Sequence, residues 1–181
     1  TANDVITNSG VVLTAKENLI AEWEKTDLPI SEILLEFSIS RDSEGVVGGS
    51  MSQSFGYSSP TSFQKYVASN DLVSLYEPAD LRKQLFLEKP LSTLINGVIG
   101  DVNYNFTKKF QDNPGYVAFR LSEMYLIRAE AALETNRPDL AMADLNIIRA
   151  RANATLATNT ANIKEDILLE RRKELCFEGH L

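Results

Sequence analysis

Residues Phe119–Asn136 read FRLSEMYLIRAEAALETN, Arg137–Ala152 continue as RPDLAMADLNIIRARA, and Asn162–Leu181 close the sequence as NIKEDILLERRKELCFEGHL. Leu121, Tyr125, Ala129 and Leu133 recur at helical spacing, and Ala132 keeps that face shallow enough for a second helix to approach closely. Asn136-Arg137-Pro138-Asp139 is a turn into that second helix, because proline suits the first helical position and an acid suits the positive end of the helix dipole. Leu140, Ala143, Ile147 and Ala150 mark its expected apolar face. Asn162-Ile-Lys-Glu165 has the spacing of a capping box and opens a third helix through Ile163, Ile167, Leu168, Arg171 and Leu175. The expected fold is mainly α: a helix pair, a C-terminal helix, and an irregular region with a few short strands.

Working back from this block, the chain becomes less regular. Residues 1–181 are expected to form a single region, loop-rich over 1–115 and helical over 116–181. Thr14-Ala-Lys-Glu17 is a further capping-box spacing, opening about three turns with Ala15, Leu19, Ile20 and Trp23 on one face. Asp27-Leu28-Pro29 ends that helix, and Trp23 is expected in the core. Ser31–Ser40 is the best strand, with Leu35, Phe37 and Ile39 alternating against Glu36 and Ser38. Asn70–Tyr76 reads as a short helix, Leu81–Leu87 as the start of a strand, Asn96–Asp101 as a turn and Tyr104–Phe110 as strand-like. Asp112-Asn113-Pro114-Gly115 is a turn.

Composition narrows the function. Eighteen basic and 25 acidic residues leave a net charge of −7, which argues against nucleic acid because phosphate binding needs a basic surface. The single cysteine, Cys176, excludes an internal disulfide and is expected to be a buried, inert thiol. No run reaches the ~20 apolar residues of a membrane span. One histidine, His180, leaves no pair for a metal site, and no nucleophile elbow, phosphate loop or dinucleotide fingerprint is present. Asp42-Ser-Glu44 lacks the later ligands of a calcium loop. Glu123, Glu130, Glu134, Asp166, Glu170 and Glu174 alternate with Arg128, Arg171 and Arg172, a pattern of solvated faces and ion pairs. No cofactor and no catalysis are expected.

The remaining chemistry lies in Arg41–Pro60, RDSEGVVGGSMSQSFGYSSP, with four glycines, six serines and two aromatic rings. A long loop of this kind is a common place for binding residues. Two readings of Phe55 and Tyr57 fit. Either the rings stack on a sugar while Gln53 and nearby hydroxyls bond its oxygens, or they plug the core and pin the loop. Arg41 is placed to add a charge-assisted bond to a ligand, or is an ordinary surface residue.

Three motifs carry a resemblance. Leu121–Ala131 (LSEMYLIRAEA), Asp144–Ala152 (DLNIIRARA) and Glu170–His180 (ERRKELCFEGH) resemble, in order, the C-terminal blocks of the SusD/RagB family. Ser31–Glu36 and the Asn70–Arg82 segment, with Tyr76, Asp80 and Arg82, resemble its upstream strand and helix. The second helix also loosely follows the tetratricopeptide pattern, of which one repeat is visible where about three make a solenoid. The resemblance implies a non-enzymatic, surface-exposed outer-membrane lipoprotein of glycan uptake in Bacteroidetes-type bacteria. Its partners would be an oligosaccharide, or a peptide in the RagB-like branch, and a SusC-type TonB-dependent transporter that contacts the tetratricopeptide face; a protein-interaction scaffold without a small ligand is the alternative. It further implies that this is the C-terminal portion of a longer protein whose signal peptide, lipid anchor and remaining helices lie outside the sequence. The shared motifs are scaffold, so no ligand residue carries over from them.

Overall fold

The structure, a computed structural model, describes residues 1–24, 30–37, 54–57, 59–61, 66–110 and 115–179. Helix α1 (Ala2–Asn8) is followed by a 3-10 turn (Lys16–Asn18), helix α2 (Leu19–Trp23) and strand β1 (Ile33–Phe37). Then come α3 (Asn70–Ser74), a 3-10 turn (Leu81–Leu85), β2 (Phe86–Ile95) and β3 (Val98–Thr107). Strand β4 (Tyr116–Arg120) leads into α4 (Leu121–Glu134), α5 (Pro138–Arg151) and α6 (Ile163–Glu174). The result is mainly α.

Helices α4 and α5 form the antiparallel pair where the periodicity places it, with Asn136 in the left-handed region at φ 55° and Pro138 opening α5. Ala129, Ala132, Ala141, Leu145, Ile163 and Ile167 make their shared core with α6. Alanines on both facing surfaces let the backbones pack closely, and Leu126, Ile148 and Leu175 extend the contact. The N-terminal helix α1, which the sequence reading does not contain, is tied to α4 by Arg128 donating to Asn3 at 2.8 Å.

Several boundaries differ from the sequence reading. The helical run begins at Leu121, because Phe119 and Arg120 belong to β4, which pairs antiparallel with β1. The buried face of α5 is Ala141, Asp144, Leu145, Ile148 and Arg151, one position away from the expected Leu140, Ala143, Ile147 and Ala150. Two of those buried residues are charged, so a search for apolar periodicity slides past them. Neither capping box in the sequence closes. Asn162 and the residues before α2 make no side-chain cap, and Thr14 instead meets Ser31 at 3.1 Å. Leu81–Leu85 is a 3-10 turn, since Asp80 accepts from the Arg82 backbone N–H and fixes a helical entry.

The segment around Asn96 is a two-residue turn rather than a six-residue one. Asn96 at φ 51° and Gly97 at φ 83° supply the two left-handed residues a tight hairpin needs, and β2 and β3 pair without a break from Phe86↔Thr107 to Ile95↔Val98. On β1, Leu35 and Phe37 are exposed rather than inward, as is Phe119 opposite Leu35. Residues 27–29, 38–40 and 112–114, and with them the expected helix stop, the end of the first strand and the turn before Gly115, lie outside the described residues, as does His180.

Candidate functional site

Most charged residues of the motifs are buried or half-buried, Arg172 being exposed. Glu32, Asp80, Glu170, Glu174 and Glu178 meet Arg82, Lys109, Arg120, Arg151 and Lys173, all ten of them buried, five of each sign. Burying an unpaired charge is prohibitive, so such groups persist only with partners on every side. Arg120, 1% exposed, is the hub. Its Nη1 donates to Glu32 at 2.5 Å and to Glu174 at 2.6 Å, while its Nε donates to Glu178 at 2.6 Å. Nη1 also lies against the Ser122 hydroxyl, and Nη2 donates to the Glu174 carbonyl at 2.7 Å and to Glu178 at 3.0 Å.

Around that hub, Arg151 bridges Glu32 and Glu174. Arg82 holds Asp80 through two nitrogens and reaches Glu170 at 2.6 Å and Glu174 at 2.8 Å. Lys173 closes on Asp80 at 2.8 Å, and Lys109 donates to Glu178 at 2.5 Å. The indole of Trp23 lies under both Lys109 and Arg120, with ring-centre distances of 5.1 and 5.6 Å. Thus the expected ion pairs form, but Glu123, Glu170 and Glu174 are buried, contrary to the expectation of solvated faces. The main partners of Glu170 and Glu174 are arginines remote in sequence, although Arg171 does meet Glu130 at 3.1 Å.

Electrostatics settles the protonation states. Burial alone would raise the Glu174 carboxyl, but Arg151, Arg120, Arg82 and Lys109 outweigh it and hold it well below the usual range. Burial opposes Arg120 and Lys109 in the same way at Glu178, and Arg82 and Lys173 at Asp80, and both carboxyls end lower. Between the ordinary value, 4.5 for Glu and 3.8 for Asp, and the lower folded value, the unfolded chain binds more protons. Stability is therefore expected to be insensitive to these groups from pH 7 to 5 and to fall once the pH drops below about 4.5. Urea midpoints at pH 7, 5 and 3.5 check this; a midpoint rising on acidification contradicts it.

This network is closed, and its chemistry is architectural. Cys176, beside it, is half-buried rather than buried; its sulfur lies 3.4 Å from the Tyr76 hydroxyl.

The aromatic residues are arranged differently. Phe55 and Tyr57 are both half-buried. Phe55 packs at 5.4 Å on Phe177 and 6.2 Å on Phe110, and Tyr57 packs at 5.0 Å on Phe106. Phe106 and Phe110 are fully buried beneath them. On the open side, Tyr66 is 57% exposed, its ring 5.4 Å from that of Phe55. The Tyr66 backbone N–H donates to the Ser54 carbonyl and fixes the two rings together. The rings thus grade from core to solvent, and each outer ring is held by one behind it. Such a shelf can stack against the apolar face of a sugar ring. Arg41 and Gln53 lie outside the described residues. Tyr66 is absent from the sequence reading; its aromatic ring in a polar stretch was the available signal.

Comparison with known proteins follows the same division. The SusD family profile matches residues 93–181, which hold the hairpin from Thr93 onward and the whole helical block. A SusD-like protein of Formosa agariphila is 29% identical over 125 residues, covering 63% of this chain and 24% of its own. A SusD superfamily protein of Bacteroides thetaiotaomicron has 28% identity and a TM-score of 0.75, over 98% of this chain and 42% of its own. A SusD-like carbohydrate binding protein of Bacteroides vulgatus has 22% identity and also a TM-score of 0.75, over 98% of this chain and 38% of its own. The chain therefore spans about a quarter of the curated relative and about two fifths of the solved ones.

Proposed function

We propose that the chain is a member of the SusD/RagB family, whose profile it matches over residues 93–181, and that it is part of a nutrient-binding protein that captures oligosaccharides at the outer-membrane surface and passes them to a SusC-type TonB-dependent transporter. The observation that carries the binding role is the aromatic shelf of Phe55, Tyr57 and Tyr66, because its rings are packed on one another and on the core while its outer ring stays accessible. Arg41 and Gln53, from the same stretch, supply polar contacts to the sugar oxygens in this reading. The description of one solved relative as carbohydrate binding supports the ligand class. The buried network takes no part in binding in this reading: its charged groups face one another, with Arg151 Nε buried and left without a hydrogen-bond partner.

A glycan array followed by calorimetry tests the assignment. Tyr66→Ala and Phe55→Ala/Tyr57→Ala are each expected to weaken binding of the best oligosaccharide by about tenfold or more, as losing stacked rings requires. Tyr66 is the cleaner probe, since its ring is mostly exposed and its removal disturbs little packing. Unchanged affinity in both variants removes the shelf from the site. A blank glycan array with a peptide hit moves the ligand to the RagB-like class.

A further inference from the structure

Four described residues other than glycine have a left-handed backbone, and three of them are asparagines, Asn96, Asn136 and Asn153, whose short side chain tolerates it. The fourth is Phe177, at φ 67°. A bulky ring is strained there. Glycine is the usual residue in such a turn after a helix, as Gly179 is at φ 80° two positions on. The strained residue is held from both sides. Lys109 donates to the Cys176 carbonyl at 3.2 Å and to the Glu178 carboxylate at 2.5 Å, so the buried charges fix the residues before and after Phe177. The Glu178 N–H donates to the Leu175 carbonyl at 3.1 Å, and the Tyr116 hydroxyl donates to the Glu178 carbonyl at 3.2 Å.

We infer that Phe177 is a positioning residue of the aromatic shelf, given the sugar-binding role proposed for that shelf: the charge network holds the Phe177 ring, and this ring sets the direction of Phe55 against Tyr66. Strain of this kind persists where the surroundings over-determine it, and what it secures here is a ring. Phe177 is half-buried and packs on two clusters, one holding Leu19, Trp23 and Phe110 and the other Leu72 and Tyr76. It meets Phe55 edge to face, with ring centres 5.4 Å apart and planes at 70°. Phe110, the other inner ring, is farther away at 6.2 Å. The bond from the Tyr66 N–H to the Ser54 carbonyl fixes where the two main chains lie, but not how the Phe55 ring is turned. An edge-to-face neighbour does fix it, because the positive edge of one ring seeks the negative face of the other. An aliphatic side chain would fill the same space without directing the ring.

Aromatic NMR of the chain without any sugar tests this independently of the ligand. The ring contact of Tyr66 is with Phe55, so the Tyr66 signals report how Phe55 is turned rather than the removal of a neighbouring ring. In Phe177→Leu and Phe177→Gly they are expected to move toward their positions in the urea-unfolded chain. The signals of Tyr125, which packs in the helical block, should stay and show that the fold is kept. Leucine keeps an apolar side chain in both clusters and glycine relieves the backbone, so a shift common to both belongs to the lost ring. Phe177→Tyr keeps the ring and should restore the parent signals. Calorimetry with the strongest oligosaccharide of the array should then show about fivefold weaker binding for Phe177→Leu and parent affinity for Phe177→Tyr. Unmoved Tyr66 signals in Phe177→Leu overturn the inference, and so does a leucine variant that binds that oligosaccharide as the parent does. A blank array together with moved signals overturns the shelf as a sugar site and supports the hold of Phe177 on Phe55.

Discussion

Arg120→Met is expected to destabilise the folded chain by about 3–5 kcal/mol, the range found when one partner of a buried ion pair is removed. That is a large part of the ~5–15 kcal/mol that holds a typical domain together. The methionine fills much of the volume, so the loss is electrostatic: five buried carboxylates are left facing four cations. The excess negative charge raises the proton affinity of Glu174 and Glu178, both of which touch Arg120. Those carboxyls then take up protons more readily in the variant than in the parent, so the destabilisation should shrink as the pH falls from 7 toward about 4.5. Arg120→Lys should recover little of the loss, because one ammonium cannot span Glu32, Glu174 and Glu178 as the guanidinium does. Urea unfolding at the two pH values reads all three effects. A loss below 1 kcal/mol at pH 7 would show that the hub is replaceable.

Ile167→Ala should cost about 2–5 kcal/mol, toward the upper end of that range. Ile167 is fully buried among Ala129, Ala132, Ala141 and Leu145. Its buried neighbours are mostly alanines on helices already in close contact, and the long side chains that pack against the cluster, Leu133, Leu140 and Met142, sit at its half-buried edge. The cavity persists, and the cavity term adds to the lost transfer energy. Ile167→Val should cost about 1 kcal/mol. In both variants the urea midpoint should move while the m-value stays constant, since the surface exposed on unfolding hardly changes. A small loss for the alanine variant would mean that α4, α5 and α6 can close on the gap.

The helical half was legible because its signals are local. Proline at the start of α5, an asparagine able to turn left-handed before it, and apolar residues at helical spacing each act within a few positions. What escaped the sequence was burial of charge. Glu32 meets Arg120 88 positions away and Arg151 119 positions away, and nothing near any of the three says that its partners will arrive. The same blindness moved the face of α5, where buried Asp144 takes Arg128 at 2.7 Å and buried Arg151 joins the network. The hairpin was underestimated for the opposite reason. Its tip is exposed on both faces, so no alternation of inward and outward residues marks Leu91–Val102 as strand. Of the candidate site, composition placed Phe55 and Tyr57 in a loop, but only the fold brings Tyr66 to Phe55 and sets Phe106 and Phe110 behind them.

The two halves thus divide the work: a helical block closed on itself by buried charge, and an aromatic shelf that faces outward. Hydrogen exchange of the chain with and without its best array oligosaccharide tests that division most directly. Added protection is expected at Ser54–Tyr57 and around Tyr66, with the already slow amides of α4, α5 and α6 unchanged. Protection gained within α4–α6, with none at the shelf, would contradict it and place the ligand on the helices.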